Sequence, residues 1–480
     1  MVPMRTTRPN LIWLILLTAL GVACSLESGC GNRSPRPHIL LITLDTTRRN
    51  HLSCYGYERP TSPNLDRLAA DGVLFENCVA MTSWTLPSHA SLFTGLYPTT
   101  HGAHYNEKAE LSLSNVVKGS QSSMEELGHY RANGLGEEAL TLAEVLADAG
   151  YVTGGIGAGP WLKPIFGLAQ GFGFYDSAVD SGSGRTADKV NNLAFPFLRE
   201  RAAARETGKD DPFFLFLNYF DPHFPYTPPG DLRYRFGDRR LADAAKRDKD
   251  DESRFRINQY DAEILFMDQA IGSLFNELKR LGFWDDTWII VTSDHGEHIG
   301  EKGLNGHGFA LYEETLRVPL IVKYPKGWTV SDDRTEMIQL VHIMPSIVDR
   351  LGLTHAPPMD APPIGRTDGV AVAELYKNLG KVKFGSGGDA ERYDRNLKAI
   401  YMKGLKLIVS TRPDDPDAGL FDLEADPGEN NNLSKERPDL FRYMYRALSQ
   451  WEESLGEPLR PLTIRGVDKA TDEQLRGLGY

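Results

Sequence analysis

The chain has 480 residues, 41% of them hydrophobic and 25% charged, a balance that suits an ordered globular protein and excludes a disordered or fibrous one. At about 100–200 residues per domain, it has the length for two or three domains. The formal net charge of −12 leaves no electrostatic footprint for nucleic acid, so an anionic substrate must be held by a locally positive site such as a bound metal.

Arg5 and Arg8 precede an apolar run, Leu11–Ala23, in the pattern of an export signal. The run is shorter than the ~20 residues of a membrane-spanning helix, which favours cleavage over a permanent span. Gly21-Val22-Ala23-Cys24 resembles a bacterial lipoprotein cleavage box. Residues 1–23 are therefore expected to be removed and Cys24 acylated, with Cys30 or ordinary cleavage as the alternatives. Residues 24–37 then form a Gly/Ser/Pro tether, and the protein is expected at the cell envelope on a lipid anchor.

His38–Thr43 (HILLIT) is a continuous apolar run ending in Leu44-Asp45, as a central strand of a parallel sheet requires. Similar runs at Val73–Ala80, Tyr151–Ile156, Phe213–Asn218, Trp288–Ser293 and Val318–Tyr324 alternate with helical patterns at Pro63–Asp71, Thr141–Ala149 and Gln259–Leu281. The alternation predicts an α/β fold, a layered α/β/α domain over residues 38–360 with a mostly parallel central sheet. Pro63 behind Ser62, and Thr141 paired with Glu144, mark helix starts. Arg239–Arg256, rich in both charges, reads as a solvated surface segment. From about Asp360 the composition turns to Gly, Pro and charge. Lys398–Val409 and Gly419–Leu423 then read as antiparallel strands and Pro438–Leu455 as a helix, which predicts a smaller α+β C-terminal domain over residues 361–480. Cys54 and Cys78 are too few for a disulfide framework and read as free thiols.

In an open α/β sheet, ligands bind beyond the carboxyl ends of the strands. Asp45, Asp221 with His223, and Asp294 with His295 fall just past such ends and are expected to converge on one edge. Carboxylates and imidazoles together suit a divalent metal, with Ca²⁺, Mn²⁺, Zn²⁺ and Mg²⁺ all compatible. Ser83–His89 runs into an apolar helical segment, Ala90–Thr94, closed by Gly95. A hydroxyl at that helix start gains from the dipole and free N–H groups. The alternative is that Thr85 or Ser88 merely caps the helix.

Leu44-Asp45-Thr46-Thr47-Arg48, Thr85-x-Pro87-Ser88-His89, Asp221-Pro222-His223-x-Pro225-Tyr226, Ser293-Asp294-His295-Gly296-Glu297, Gly306-His307-Gly308 and Leu316-Arg317-Val318-Pro319-Leu320 follow one another in the order and spacing of sulfatase-like hydrolases. Phe421-Asp422-Leu423 with Asp426-Pro427-x-Glu429 matches that family's C-terminal signature. The chain thus resembles the sulfatases of the alkaline phosphatase superfamily from about residue 38 to 455. The resemblance implies one divalent ion on Asp45, Thr85, Asp294 and His295, with Thr85 as nucleophile. It places His223 and His307 on the substrate's non-bridging or leaving oxygens, His89 where the family has arginine, and Arg48 as an added positive charge. A second ion on Asp221, His223 and His307 is the alternative to a single one.

Three departures bear on the chemistry. Thr85 stands where sulfatases carry the Cys or Ser that becomes formylglycine, and a secondary alcohol would oxidise to a ketone instead. Gly157–Leu162 stands where the family's Lys and His grip sulfate, and Asp45-Thr46 keeps one carboxylate of a pair. Threonine is the nucleophile in superfamily relatives acting on phosphodiesters. The expected activity is hydrolysis of a sulfuric or phosphoric (di)ester through Thr85, on a small or glycan- or lipid-borne anion. The alternatives are transfer of a phospho-group to an envelope acceptor through the same intermediate, and a degenerate glycan- or anion-binding protein.

Overall fold

The computed structural model describes residues 36–106, 108–109, 131–178, 184–246, 248–328, 333–377 and 393–462. The export signal, Cys24 and nearly all of the tether lie outside the described residues. The chain divides into two compact units, residues 1–37 and His38–Tyr480, and the sheets belong to the second.

The strands are β1 (His38–Leu44), β2 (Val73–Val79), β3 (Val152–Ile156), β4 (Phe174–Asp176), β5 (Phe213–Tyr219), β6 (Thr287–Thr292), the short pair β7 (His298–Ile299) and β8 (Asn305–Gly306), β9 (Arg317–Lys323) and β10 (Met337–Gln339). Among the described residues, eight of them form a central sheet in the order β10-β2-β9-β6-β1-β5-β3-β4. All neighbours pair in parallel except β9, which runs antiparallel to β2 and β6. The sheet is therefore mostly parallel, as expected.

The helices around it are α1 (Pro63–Asp71), α2 (Thr85–Thr94), α3 (Pro98–His101), α4 (Leu142–Asp148), α5 (Ala187–Glu206), α6 (Arg239–Ala244), α7 (Lys249–Arg280), α8 (Glu313–Leu316) and α9 (Ile343–Leu351). The period-2 geometry of the strands sorts their residues into two cores. Ile39 and Leu41 of β1, Phe214 and Phe216 of β5, and Trp288 and Ile290 of β6 pack with Leu86, Ala90 and Phe93 of α2. Leu40, Ile42, Leu44, Leu215, Leu217, Ile289 and Val291 point the other way, onto Val190 and Leu198 of α5 and Ile264 and Ile271 of α7. Each buried Leu, Ile or Phe contributes about 1.5–3 kcal/mol, and a one-residue slip would exchange the two faces, so the register is strongly specified.

Several elements differ from expectation. Helix α7 begins at Lys249 rather than Gln259, its polar first turns carrying the ion pair Arg256–Glu252 (2.6 Å) one turn apart. With α6, capped by Asp238, most of the stretch Arg239–Arg256 is helical, and its described residues lie at the surface, exposed or half-buried. Helix α5 has Pro196 in its interior, which hides it from a propensity reading. Cys54 and Cys78 are free, as expected.

At the C-terminal end, β11 (Val370–Leu375), β12 (Leu397–Met402), β13 (Leu405–Ser410) and β14 (Gly419–Asp422) form an antiparallel sheet, with α10 (Pro438–Ser454) beside it. The run Lys398–Val409 is two strands, folded back at Lys403-Gly404, where φ is 50° and 76° as a two-residue hairpin turn demands. Ala371, Ile400, Leu407 and Leu420 join the same core as α2. Lys406, 0% exposed, lies 2.7 Å from Glu429 and 3.2 Å from Glu313, and Glu429 also accepts the Glu313 N–H at the start of α8. The C-terminal signature is thus a buried charge clamp between this sheet and α8.

Buried imidazoles give a stability prediction. His298 lies between Phe309 and Tyr312, neither of its nitrogens has a hydrogen-bond partner among the described residues, and burial lowers its pKa to about 3. The unfolded chain takes up the proton near pH 6.5 while the folded chain refuses it, so stability is lost as pH falls below 6.5. At pH 5 the loss is about 2 kcal/mol for this one group. His298→Leu is expected to gain that amount relative to the parent between pH 7.5 and pH 5, read by urea denaturation. An unchanged difference between the two pH values would contradict it.

Candidate active site

Strands β1 and β6 pair with Thr43 opposite Thr292, so Asp45 and Asp294 leave the sheet at one edge. The chain turns there at Thr46, whose φ of 55° is unusual for a non-glycine residue and costs about 1–3 kcal/mol. Three bonds hold it: its N–H donates to Asp294 Oδ1 (3.2 Å), its hydroxyl to the Pro222 carbonyl (3.0 Å), and its carbonyl accepts from the Tyr260 hydroxyl (2.7 Å). Thr46 therefore spends its side chain on the loop that carries His223.

Helix α2 starts at Thr85 and ends on Gly95, whose φ of 69° gives the left-handed C-terminal cap. Its first turn is fastened to both strands. Ser88 donates to the Asp294 carbonyl at 2.7 Å. His89 Nδ1–H donates to the Thr85 carbonyl (2.9 Å), which leaves Nε2 to accept the Thr43 hydroxyl (3.0 Å). Thr43 in turn accepts from Asn218 Nδ2, which also reaches Asp45 Oδ2 at 3.3 Å. Burial holds His89 below its ordinary pKa. It is a neutral bolt under Thr85, both nitrogens engaged.

Asp45, Asp294 and His295 are fully buried, and one ligand atom of each lies within 4.8 Å of the others. His295 Nδ1–H donates to the Gly296 carbonyl (2.9 Å), so its Nε2 lone pair faces inward. That nitrogen lies 3.3 Å from Asp294 Oδ2 and accepts the Thr85 hydroxyl at 3.2 Å. Among the described residues, Asp45 Oδ1 and Asp294 Oδ2 have no hydrogen-bond partner. Buried acceptors facing one another without a donor are what a divalent cation relieves, so this donor set fits a metal. Burial and the facing Asp294 push the Asp45 carboxyl well above its usual range; burial also raises Asp294, opposed by His89.

Two further imidazoles border the group. The His307 ring lies 4.5 Å from that of His295 and 5.0 Å from that of His223, which stacks on Phe220 at 4.2 Å. Burial lowers both His223 and His307 to about 4, with His307 adding to the effect on His223. Arg48, expected to add positive charge here, gives its guanidinium to Glu301, Asn50 and the Glu297 carbonyl. Asp221 does not join the group: its Oδ1 accepts the Ala187 N–H at the start of α5 (3.1 Å), and burial raises it to about 7. Among the described residues, Asp45, Asp294 and His295 are the one cluster with metal-ligand geometry. Gly159 abuts it, since a Cβ there would lie 3.7 Å from Asp45 Oδ2 and 2.8 Å from the Phe220 ring.

Asn218 and Glu297 carry roles the sequence reading did not assign. Asn218 is the one amide in the apolar run of β5, in register with Thr43. Glu297, 0% exposed, accepts His307 Nδ1–H at 2.8 Å. A polar residue ending an apolar strand, and a carboxylate two places past His295, were the signals available.

A layered α/β/α fold with carboxylates, an imidazole and a helix-borne hydroxyl at the strand ends defines a hydrolase of the alkaline phosphatase type. Residues 37–353 match the sulfatase family and residues 300–453 the N-sulphoglucosamine sulphohydrolase C-terminal family, and the chain belongs to the sulfatase family of ester hydrolases. It is 25% identical over 457 residues to an uncharacterised sulfatase of Escherichia coli (strain K12), covering 88% of this chain and 89% of the relative. A multifunctional alkaline phosphatase superfamily protein of Trinickia caryophylli is 28% identical over 386 residues, 66% of this chain and 74% of that one. The phosphonate monoester hydrolase of Agrobacterium radiobacter shares the fold, with a TM-score of 0.62 at 22% identity over 90% of this chain and all of that one.

Proposed function

We propose that the protein hydrolyses a singly charged phosphorus or sulfur ester through a covalent Thr85 intermediate, with phosphorus favoured because threonine cannot supply the formylglycine aldehyde. The carrying observation is the Thr85 hydroxyl, 2% exposed at a helix start and 3.2 Å from His295 Nε2 within the Asp45–Asp294–His295 group. A divalent ion held by Asp45, Asp294, His295 and Thr85 would polarise the ester oxygens and lower the pKa of the hydroxyl. Thr85 Oγ forms the new bond to phosphorus or sulfur in line with the departing ester oxygen. That P–O or S–O bond breaks, and the Thr85 proton ends on the alcohol. His223 and His307 flank the reacting group and carry the proton. Water then takes the place of Thr85, which regains its proton, so the sum is ester plus water giving alcohol plus acid. His89 is assigned as a positioning residue that holds the Thr85 turn. Arg48 is assigned to the support of the Glu301 segment.

With the imidazoles neutral and Arg48 paired to Glu301, the ion supplies the site's main positive charge. A monoanionic diester, phosphonate monoester or sulfate ester suits this balance better than a dianionic phosphate monoester. The multifunctional relative and the phosphonate hydrolase neighbour support that range. The leader and Cys24 support placing this chemistry at the cell envelope on a lipid anchor. A panel of p-nitrophenyl sulfate, phosphate, phenylphosphonate and bis-p-nitrophenyl phosphate with Mn²⁺, Zn²⁺, Ca²⁺ or Mg²⁺ tests the reading. Turnover of diester or phosphonate above phosphate monoester is expected; preference for the phosphate monoester would overturn it.

Removing the ion gives a second readout. Chelation is expected to abolish turnover and lower the melting temperature, and re-addition at a hundredfold excess over Kd to restore about 2.7 kcal/mol of stability. An unchanged melting curve would leave the buried carboxylates without their cation.

A further inference from the structure

Glu297 carries a carboxylate buried at 0% exposure whose oxygens, among the described residues, bond no lysine or arginine side chain. Oε1 accepts His307 Nδ1–H at 2.8 Å. Oε2 accepts the Phe224 N–H at 3.3 Å, and the nearby Tyr226 hydroxyl favours the ionised form of this carboxylate. Phe224 and Tyr226 belong to the loop that presents His223, whose Nδ1–H is bound to the Phe224 carbonyl at 2.6 Å. One side chain therefore touches the supports of both imidazoles that border Thr85 and His295. A bystander carboxylate would not be buried this way, because an ionised oxygen out of water needs several donors to offset its desolvation.

We propose that Glu297 is a positioning residue that fixes the tautomer and orientation of His307, keeping one proton on Nδ1 and leaving the Nε2 lone pair to take the Thr85 proton and pass it to the departing oxygen, while holding the His223 loop in the same grip. Histidine in water favours the proton on Nε2, so without Glu297 the ring would present an N–H where the site needs a lone pair. The assignment rests on the reading of His307 as a group that meets the substrate. Partners of this kind change activity by about 10–100-fold when removed.

The test uses the full chain loaded with a diamagnetic ion, Mg²⁺, Ca²⁺ or Zn²⁺, and ¹⁵N-labelled histidine, with the His307 signals identified by their loss in His307→Gln. The parent is expected to show the Nδ1–H tautomer and Glu297→Leu the Nε2–H tautomer. Glu297→Gln, which keeps one acceptor oxygen but adds a donor, is expected to give a mixture. Diester turnover should fall about 10–100-fold in kcat for Glu297→Leu and less for Glu297→Gln, with metal content unchanged. Combined with His307→Gln, Glu297→Leu should add less than it costs alone, since the part acting through His307 is already gone and only its hold on the His223 loop remains. A persistent Nδ1–H tautomer in Glu297→Leu, or two fully additive losses, would overturn the proposal. If Glu297→Leu does not fold, the tautomer in Glu297→Gln decides: a mixture supports the proposal and a pure Nδ1–H form overturns it. If the parent turns over no ester, the Thr85 reading fails, and the tautomer measurement still decides the role of Glu297.

Discussion

Replacing Thr85 by alanine is expected to lower kcat by about four orders of magnitude while leaving the fold intact. The substitution removes the hydroxyl bound to His295 and keeps the carbonyl that accepts from His89, so the first turn of α2 stays fastened through His89 and Ser88. Thr85→Ser keeps the hydroxyl and is expected to retain measurable turnover. Steady-state rates on the favoured diester check both, with the melting temperature as control. A Thr85→Ala protein within tenfold of the parent would remove the nucleophile from the account.

The second large effect is on stability. Lys406→Met is expected to cost about 3–5 kcal/mol, because it leaves the buried Glu429 without its cation and beside Glu313, which keeps only Arg317. The clamp is already finely balanced: burial raises Glu429 to about 7, while Arg317 and Lys406 overcome burial to hold Glu313 at about 2. Glu313 also accepts from the Tyr401 hydroxyl and Arg317, so the loss would spread through the contact between the C-terminal sheet and α8. Urea denaturation measures it; a change under about 1 kcal/mol would make the clamp incidental.

The sheet was legible where each strand declares its environment. His38–Leu44 is apolar at every position but two and is buried on both faces, and its neighbours β5 and β6 read the same way. Direction was not legible: nothing in Arg317–Lys323 distinguishes an antiparallel strand from its parallel neighbours. Helix α5 was hidden by Pro196, and β11 by the Gly- and Pro-rich residues before it. At the site, Asp45, Asp294, His295 and Thr85 were legible because strand ends and a helix start place them together. The differences arose where a role depends on a distant partner. Asp221 caps a helix whose first residue, Ala187, is 34 positions away, and His89 is neutralised between Thr85 and Thr43. No local pattern encodes those pairings.

These pairings also explain how the site accommodates its departures from the family pattern. A neutral His89 anchors the Thr85 turn, and Thr46, in place of a second acid, secures the loop before His223. Fewer protein charges then surround the reacting ester, which is the physical basis for expecting a monoanionic substrate.

Trapping the covalent intermediate would show which side chain attacks the ester. The metal-loaded protein is mixed with bis-p-nitrophenyl phosphate, quenched in acid during turnover, digested and analysed by mass spectrometry. A p-nitrophenyl phosphoryl ester is expected on the peptide containing Thr85, at the Thr85 hydroxyl, and none in Thr85→Ala. Turnover with no adduct, or an adduct on another residue, would contradict it.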